Sequence, residues 1–129
     1  GFMGRWFVLR KMPLVICDTA HNEAGLALNI QELTRLNKNQ IHFVLGFVND
    51  KQLDAILHLF PPSASYYFTR ADIPRALDEK SLLNLAEGFG LQGKAYRNPS
   101  KALQAAIGNA GKEDVIYVGG STFLVSELI

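Results

Sequence analysis

The run Ile41–Val48, I-H-F-V-L-G-F-V, constrains this chain most. It has the length of a strand and almost no alternation of apolar with polar residues. A strand with one wet face alternates. A near-continuous apolar run belongs to a strand covered on both faces, as in a parallel sheet flanked by helices. Val15-Ile16-Cys17 and Val115–Val118 are two more such runs. Between them, apolar residues recur at helical spacing: Leu26, Ile30 and Leu33, with Leu36 near the end; Leu53, Ile56, Leu57 and Phe60; Leu82, Ala86 and Phe89; Leu103, Ala106 and Ile107. Strand and helix patterns therefore alternate. This predicts an α/β fold: a three-layer, mainly parallel sheet with helices on both faces. Trp6–Arg10 does alternate, and Lys11-Met12-Pro13 reads as a turn into the Val15 strand. That adds an antiparallel hairpin strand at the N-terminal side.

Turn chemistry places the boundaries. A first helix is expected from about Asn22 to Asn37. A second is capped by Asn49-Asp50 and stopped by Pro61-Pro62. Ser65–Thr69 reads as a strand, Arg70–Leu77 as a polar loop, Glu79–Phe89 as a helix and Leu91–Arg97 as a weak strand. Asn98-Pro99-Ser100 opens another helix, and Phe123–Ile129 is helical. The 129 residues suffice for one domain with a real core. A net charge of +1 with no basic stripe gives no reason to expect a nucleic-acid partner. No apolar run reaches membrane-spanning length and no signal peptide is visible. One cysteine excludes an internal disulfide and fits a reducing compartment, so the expected location is cytoplasmic. The chain opens Gly1-Phe2-Met3-Gly4 and reads as part of a longer protein cut at a domain boundary.

Chemistry concentrates where strands hand over to helices. In V-I-C-D-T-A-H-N, Asp18 and His21 stand at the end of the Val15 strand. Open α/β sheets bind ligands at that edge. A carboxylate there can accept from sugar hydroxyls, and an imidazole can meet a base or phosphate. Equally, Asp18 can cap the helix and His21 can be a turn residue. Asn49-Asp50-Lys51 and Gly119-Gly120-Ser121 also follow buried runs and precede helices. Lys51 and Ser121 could grip a carboxylate or phosphate there. Arg5 precedes the first strand. Cys17 lies inside an apolar strand, where a thiol is usually inert. His42 and His58 read as structural, and no metal-ligand spacing links the histidines to carboxylates or to Cys17. Gly108–Lys112 lacks the spacing of a phosphate loop and precedes a strand, so a self-sufficient nucleotide hydrolase is not expected.

Gly4-Arg5, followed by a Pro13-led strand ending Asp18-Thr19-Ala20-His21-Asn22, resembles the G-R…D-G-A-H-N-P signature of folylpolyglutamate synthases. In bacteria these are often bifunctional with dihydrofolate synthase, and they belong to the Mur ligase-like group. Gly46 to Lys51 resembles the family's G-x-x-x-D-K segment, and Ile73-Pro74-Arg75-Ala76 its N-P-R-A loop. Gly119 to Glu127 resembles its terminal G-S-x-Y-x-x-x-E. Thr19 stands for the usual glycine, Glu23 for the proline, and Phe123 near the usual tyrosine.

The resemblance implies the C-terminal domain of an ATP-dependent ligase, with a three-layer, Rossmann-like sheet, mainly parallel with an antiparallel N-terminal hairpin strand, of the Mur ligase C-terminal domain type. Such an enzyme makes an acyl phosphate on a pterin carboxylate, which L-glutamate attacks to give an amide. It implies ATP and Mg2+ as cofactors, with the phosphate loop and magnesium ligands on N-terminal and central domains of the same chain. The implied partners are those domains and the small molecules ATP, L-glutamate, and folate or dihydropteroate. Residue by residue, Arg5 is the expected catalytic contact to the ATP phosphates. Asp18 and His21 are expected at the nucleoside, and Lys51 and Ser121 at glutamate. No metal ligand is expected in this chain. The alternative is a stand-alone α/β nucleotide-binding or receiver-like signalling module, but Asp18 alone does not make a receiver's acidic cluster.

Overall fold

The apolar runs become neighbouring strands of one sheet in the computed structural model, which describes residues 6–49 and 52–129. In chain order the strands are β1 (Phe7–Lys11), β2 (Leu14–Cys17), β3 (Ile41–Leu45), β4 (Ser65–Phe68), β5 (Gly93–Ala95) and β6 (Val115–Gly119). The helices are α1 (Glu23–Arg35), α2 (Leu53–Leu57), α3 (Glu79–Glu87), α4 (Pro99–Asn109) and α5 (Thr122–Leu128). Across the sheet the strands lie in the order β1-β2-β6-β3-β4-β5. β1 pairs antiparallel with β2, and the remaining neighbours pair parallel. The last strand in sequence thus runs up the middle, with Tyr117 opposite Ile16 on one side and Phe43 on the other.

Side-chain alternation along the strands builds two cores. Ile16, Phe43, Leu45, Tyr66, Phe68, Val115 and Tyr117 point to the face covered by α1, α2 and α3. Val15, Cys17, Val44, Tyr67, Ile116 and Val118 point to the face covered by α4 and α5. This explains why the strands read as unbroken apolar runs: both faces exclude water. Aromatic rings carry much of the first core, with Phe43 stacked on Tyr66 at 5.3 Å and edge-on to Phe60 at 5.0 Å.

The caps follow the sequence closely. Asn22 Oδ1 accepts from Gly25 N–H at 2.8 Å, Asp78 from Lys80 and Ser81, and Asn98 from Lys101 at 2.9 Å. Gly90, at φ +80°, takes the left-handed turn after α3. Several boundaries differ from expectation. The strand over Ile41–Val48 stops at Leu45; at Gly46 the backbone passes so close to Thr69 that a β-carbon would lie 2.9 Å from its carbonyl. Val48 forms an isolated antiparallel bridge with Ala76 instead. Asn49 does not cap α2. Its N–H donates to the Arg75 carbonyl at 2.9 Å, and α2 begins at Leu53 after Gln52. Asp50 lies outside the described residues. In α4, Ala102 and Ala106 are fully buried while Leu103 and Ile107 are only partly so, since the helix lies close to the sheet.

The amino edge of the sheet carries a polar cluster. Buried His42 places Nδ1 2.9 Å from the Tyr67 hydroxyl and Nε2 2.9 Å from Asp114 Oδ2. Gly111 N–H also donates to Asp114 at 2.9 Å, and Asn109 reaches Tyr67 at 3.2 Å. His42 is thus structural, as expected. His58 stands edge-on to Phe89 at 6.2 Å. Burial pushes the Asp114 carboxyl up, but the Gly111 N–H and His42 outweigh it and hold it below its ordinary 3.8. The folded chain therefore binds this proton at lower pH than the unfolded chain. Its contribution to stability is complete above that ordinary value and is lost as pH falls through the lower, folded value. Denaturant titrations from neutral to acid pH should show wild type losing more stability than Asp114→Asn over this window. Parallel losses in both proteins would remove Asp114 as the cause.

Candidate functional site

The carboxyl ends of β2, β6 and β3 form the opposite edge. Helices leave it on different faces: α1 and α2 on one, α5 on the other. This is the topology in which α/β sheets open a crevice. Asp18 follows β2 directly and is only 1% exposed. Its N–H continues the ladder to Val118 O at 3.1 Å, which aims the side chain into the edge. Oδ1 accepts from Ala20 N–H at 2.7 Å, and Oδ2 has no hydrogen-bond partner among the described residues. Asp18 does not cap α1, because Asn22 does. Of the two readings open from sequence, capping is corrected, and a buried carboxylate oxygen is left facing the edge. His21 is exposed, its Nδ1 3.4 Å from the Thr19 carbonyl.

Two cavities open here. One, of about 420 Å³, is lined by Asp18, Ala20, His21, Asn22, Ala24, Gly25, Leu28 and Asn29. The other, of about 300 Å³, is lined by His21, Val48, Arg75, Gly120, Ser121, Thr122 and Phe123. His21 lies on the wall of both. Both volumes suit a small ligand. Ser121 is buried and its Oγ accepts from Phe123 N–H at 3.1 Å, capping α5 and leaving its own proton to donate. Gly120 makes the turn into Ser121 at φ +102°, where a β-carbon would meet the Gly46 carbonyl at 2.6 Å.

Of the residues singled out from sequence, Asp18 and His21 line the first cavity, and His21 and Ser121 the second. Arg5 and Lys51 lie outside the described residues. Phe7 pairs with Cys17, so β1 starts at the edge where β2 ends. Sequence reasoning assigned no role to Arg75 or Asn29. Arg75 was visible in the N-P-R-A resemblance, but it is tertiary pairing, the Val48–Ala76 bridge with the Asn49–Arg75 and Leu77–Phe47 bonds, that brings its loop to the second cavity. The same loop is tied to α5 by Asp72 N–H donating to Glu127 Oε2 at 2.6 Å. Asn29 sits between Leu26, Ile30 and Leu33 on the apolar stripe of α1, where no polar residue was sought.

Among the described residues, no three His, Cys, Asp or Glu side chains gather as a metal set. No helix there is long and apolar enough to cross a membrane. A family model described as Mur ligase, glutamate ligase domain, matches residues 4–122.

The chain belongs to this Mur ligase family.

Among curated proteins it is 31% identical over 127 residues to a probable bifunctional folylpolyglutamate synthase/dihydropteroate synthase of Haloferax volcanii, covering 96% of this chain and 15% of that protein. It is 28% identical to the dihydrofolate synthase/folylpolyglutamate synthase of Escherichia coli K12, covering 98% of this chain and 29% of the relative. Among solved structures, E. coli FolC in complex with DHPP and ADP superposes with a TM-score of 0.86 at 27% identity, over 97% of this chain and 30% of that one. The chain therefore spans under a third of the relatives it matches. The six-stranded mixed sheet is the fold of these ligase domains.

Cys17 stands one residue from Asp18 but is sealed in the second core. Burial, with the neighbouring Asp18 charge adding to it, pushes the thiol up to about 12. A thiolate is therefore scarce at neutral pH. Native protein treated with iodoacetamide at pH 8 should stay unlabelled while denatured protein labels fully. Rapid labelling of the native form would contradict this burial.

Proposed function

We propose that this chain acts as the C-terminal domain of an ATP-dependent amide-bond ligase that adds L-glutamate to folate or dihydropteroate. In this reading the Asp18 cavity takes the nucleoside of ATP and the Ser121–Arg75 cavity takes glutamate. The observation that carries it is His21 on the wall shared by both cavities, so that a nucleotide and an amino acid would meet at one imidazole. The donor sets fit. Buried Asp18 Oδ2 lacks a donor, and nucleoside hydroxyls supply donors. Arg75 and the Ser121 hydroxyl supply donors, which a carboxylate requires. The family match and the folate-ligase relatives support the substrate class.

The reaction makes and breaks bonds in two stages. The folate or pteroate carboxylate oxygen attacks the γ-phosphorus and ADP leaves. The glutamate amine then attacks the acyl carbon, loses a proton, and phosphate leaves as the amide forms. In this reading magnesium and the phosphate loop would come from the other domains of the parent enzyme. This chain would contribute Arg5, to stabilise charge on the transferring phosphoryl group, and Lys51 and Ser121 as contacts to glutamate. Arrival of the domain would also exclude water from a hydrolysable intermediate.

In the full-length enzyme, Asp18→Ala should raise the ATP KM by an amount on the order of 1–3 kcal/mol, with a smaller change for glutamate. Arg75→Ala and Lys51→Ala should do the reverse. Arg5→Ala should lower kcat roughly 100-fold, because its contact matters most in the transition state. The isolated chain, given ATP, magnesium, glutamate and dihydropteroate, should release no phosphate above a blank. Equal rises in both Michaelis constants for Asp18→Ala and Arg75→Ala would reject the division of the two cavities.

A further inference from the structure

Four buried side-chain atoms lack a hydrogen-bond partner among the described residues: Asp18 Oδ2, Asn29 Oδ1, Thr69 Oγ1 and Glu79 Oε1. Glu79 Oε1 faces Arg70 Nε at 3.3 Å. Thr69 lines neither cavity at the carboxyl edge. Asp18 and Asn29 line the same one. Each is 1% exposed, so neither oxygen has bulk water as its partner. A buried acceptor without a donor is costly, and it persists where something else supplies the donor.

Asn29 is out of place as a core residue. Its neighbours on the buried stripe of α1, Leu26 and Leu33, are fully enclosed and apolar. The carboxamide is held rather than loose. Nδ2 donates to the Tyr117 hydroxyl at 2.7 Å, which turns Oδ1 away from β6. Burial raises the Tyr117 phenol above its ordinary range, so the hydroxyl stays neutral. The ring is fixed in turn by Gly119, where a β-carbon would fall 2.6 Å from Tyr117 Cε2 and 2.8 Å from its hydroxyl oxygen. A glycine at the end of β6 thus lets Tyr117 lie along the strand, and Tyr117 orients Asn29.

The geometry points to Asn29 as a second buried acceptor of the nucleoside site, reading a hydrogen-bond donor of the nucleoside beside the one taken by Asp18. This rests on the nucleotide reading of that cavity and adds a specificity-determining residue to it. Two donors on an adenosine nucleotide have the required chemistry: a sugar hydroxyl and the exocyclic amino group of the base.

The test compares ATP with 2′-deoxy-ATP, 3′-deoxy-ATP and inosine triphosphate as substrates of the full-length enzyme. Asn29→Leu should raise the KM for ATP roughly five- to tenfold with little change in kcat, the size expected for one hydrogen bond. For the analogue that lacks the donor read by Asn29, wild type and variant should have equal KM. That analogue names the donor: a deoxy-sugar for the hydroxyl, inosine for the amino group. Asn29→Ser, which places no apolar group against the Tyr117 hydroxyl, should give the same pattern and serves if the leucine variant does not fold. A merely structural Asn29 would penalise all four nucleotides alike, and that result overturns the inference. So does an unchanged KM for ATP. Asp18→Ala run in parallel separates the two levels. If it raises the ATP KM while Asn29 variants do not, only this inference fails. If neither changes it, the nucleotide reading of the cavity fails with it.

Discussion

The parallel pairing of β6 between β2 and β3 is the constraint on which the remaining structure depends. All five residues of β6 are buried, and its ladder ties the N-terminal hairpin to the β3–β4–β5 half. Its position also creates the crevice. The chain leaves β2 and β3 toward one face and β6 toward the other, so the loops after these strands diverge and leave space between them. A strand that merely extended the sheet at its edge would not have opened that space beside Asp18.

The two ends of the sheet resolve their polar groups differently. At the amino edge, His42, Tyr67, Asn109 and Asp114 satisfy one another, with Gly111 N–H completing the set. At the carboxyl edge, Asp18 and Asn29 each keep one oxygen without a donor. A closed network stabilises and specifies the fold. An open one costs stability and is found where a ligand completes it. The two edges of one small sheet thus differ in how completely their buried polar groups are paired among the described residues.

Support for the site extends inward from it. Gly119 admits the Tyr117 ring, Tyr117 holds Asn29, and Trp6 lies 6.3 Å from the same ring. On the other side, Gly120 allows the close approach of Gly46 and Phe47 that brings β3's exit beside Ser121. The Arg75 loop is clamped from two directions, by the Val48–Ala76 bridge and by Glu127 on α5. The wall of the second cavity is therefore assembled from segments tied to β3, β6 and α5.

Much of the fold was legible because it rests on local periodicity. Unbroken apolar runs imply strands covered on both faces, and Asn22, Asp78 and Asn98 mark helix starts through side-chain bonds only a few residues long. Asp18, His21 and Ser121 could be picked out because each stands where a strand pattern ends. Other features needed the tertiary structure. The order β2-β6-β3 depends on pairings such as Leu14 with Val115 and Ile41 with Val115, which no local window of sequence contains. The close approach of Gly46 to Thr69 and the bond from Asn49 N–H to the Arg75 carbonyl involve partners distant in the chain. Asn29 carries the same lesson. By sequence it occupies a core position on an amphipathic helix. Only Tyr117, 88 residues away, turns its amide so that one oxygen is left for a ligand.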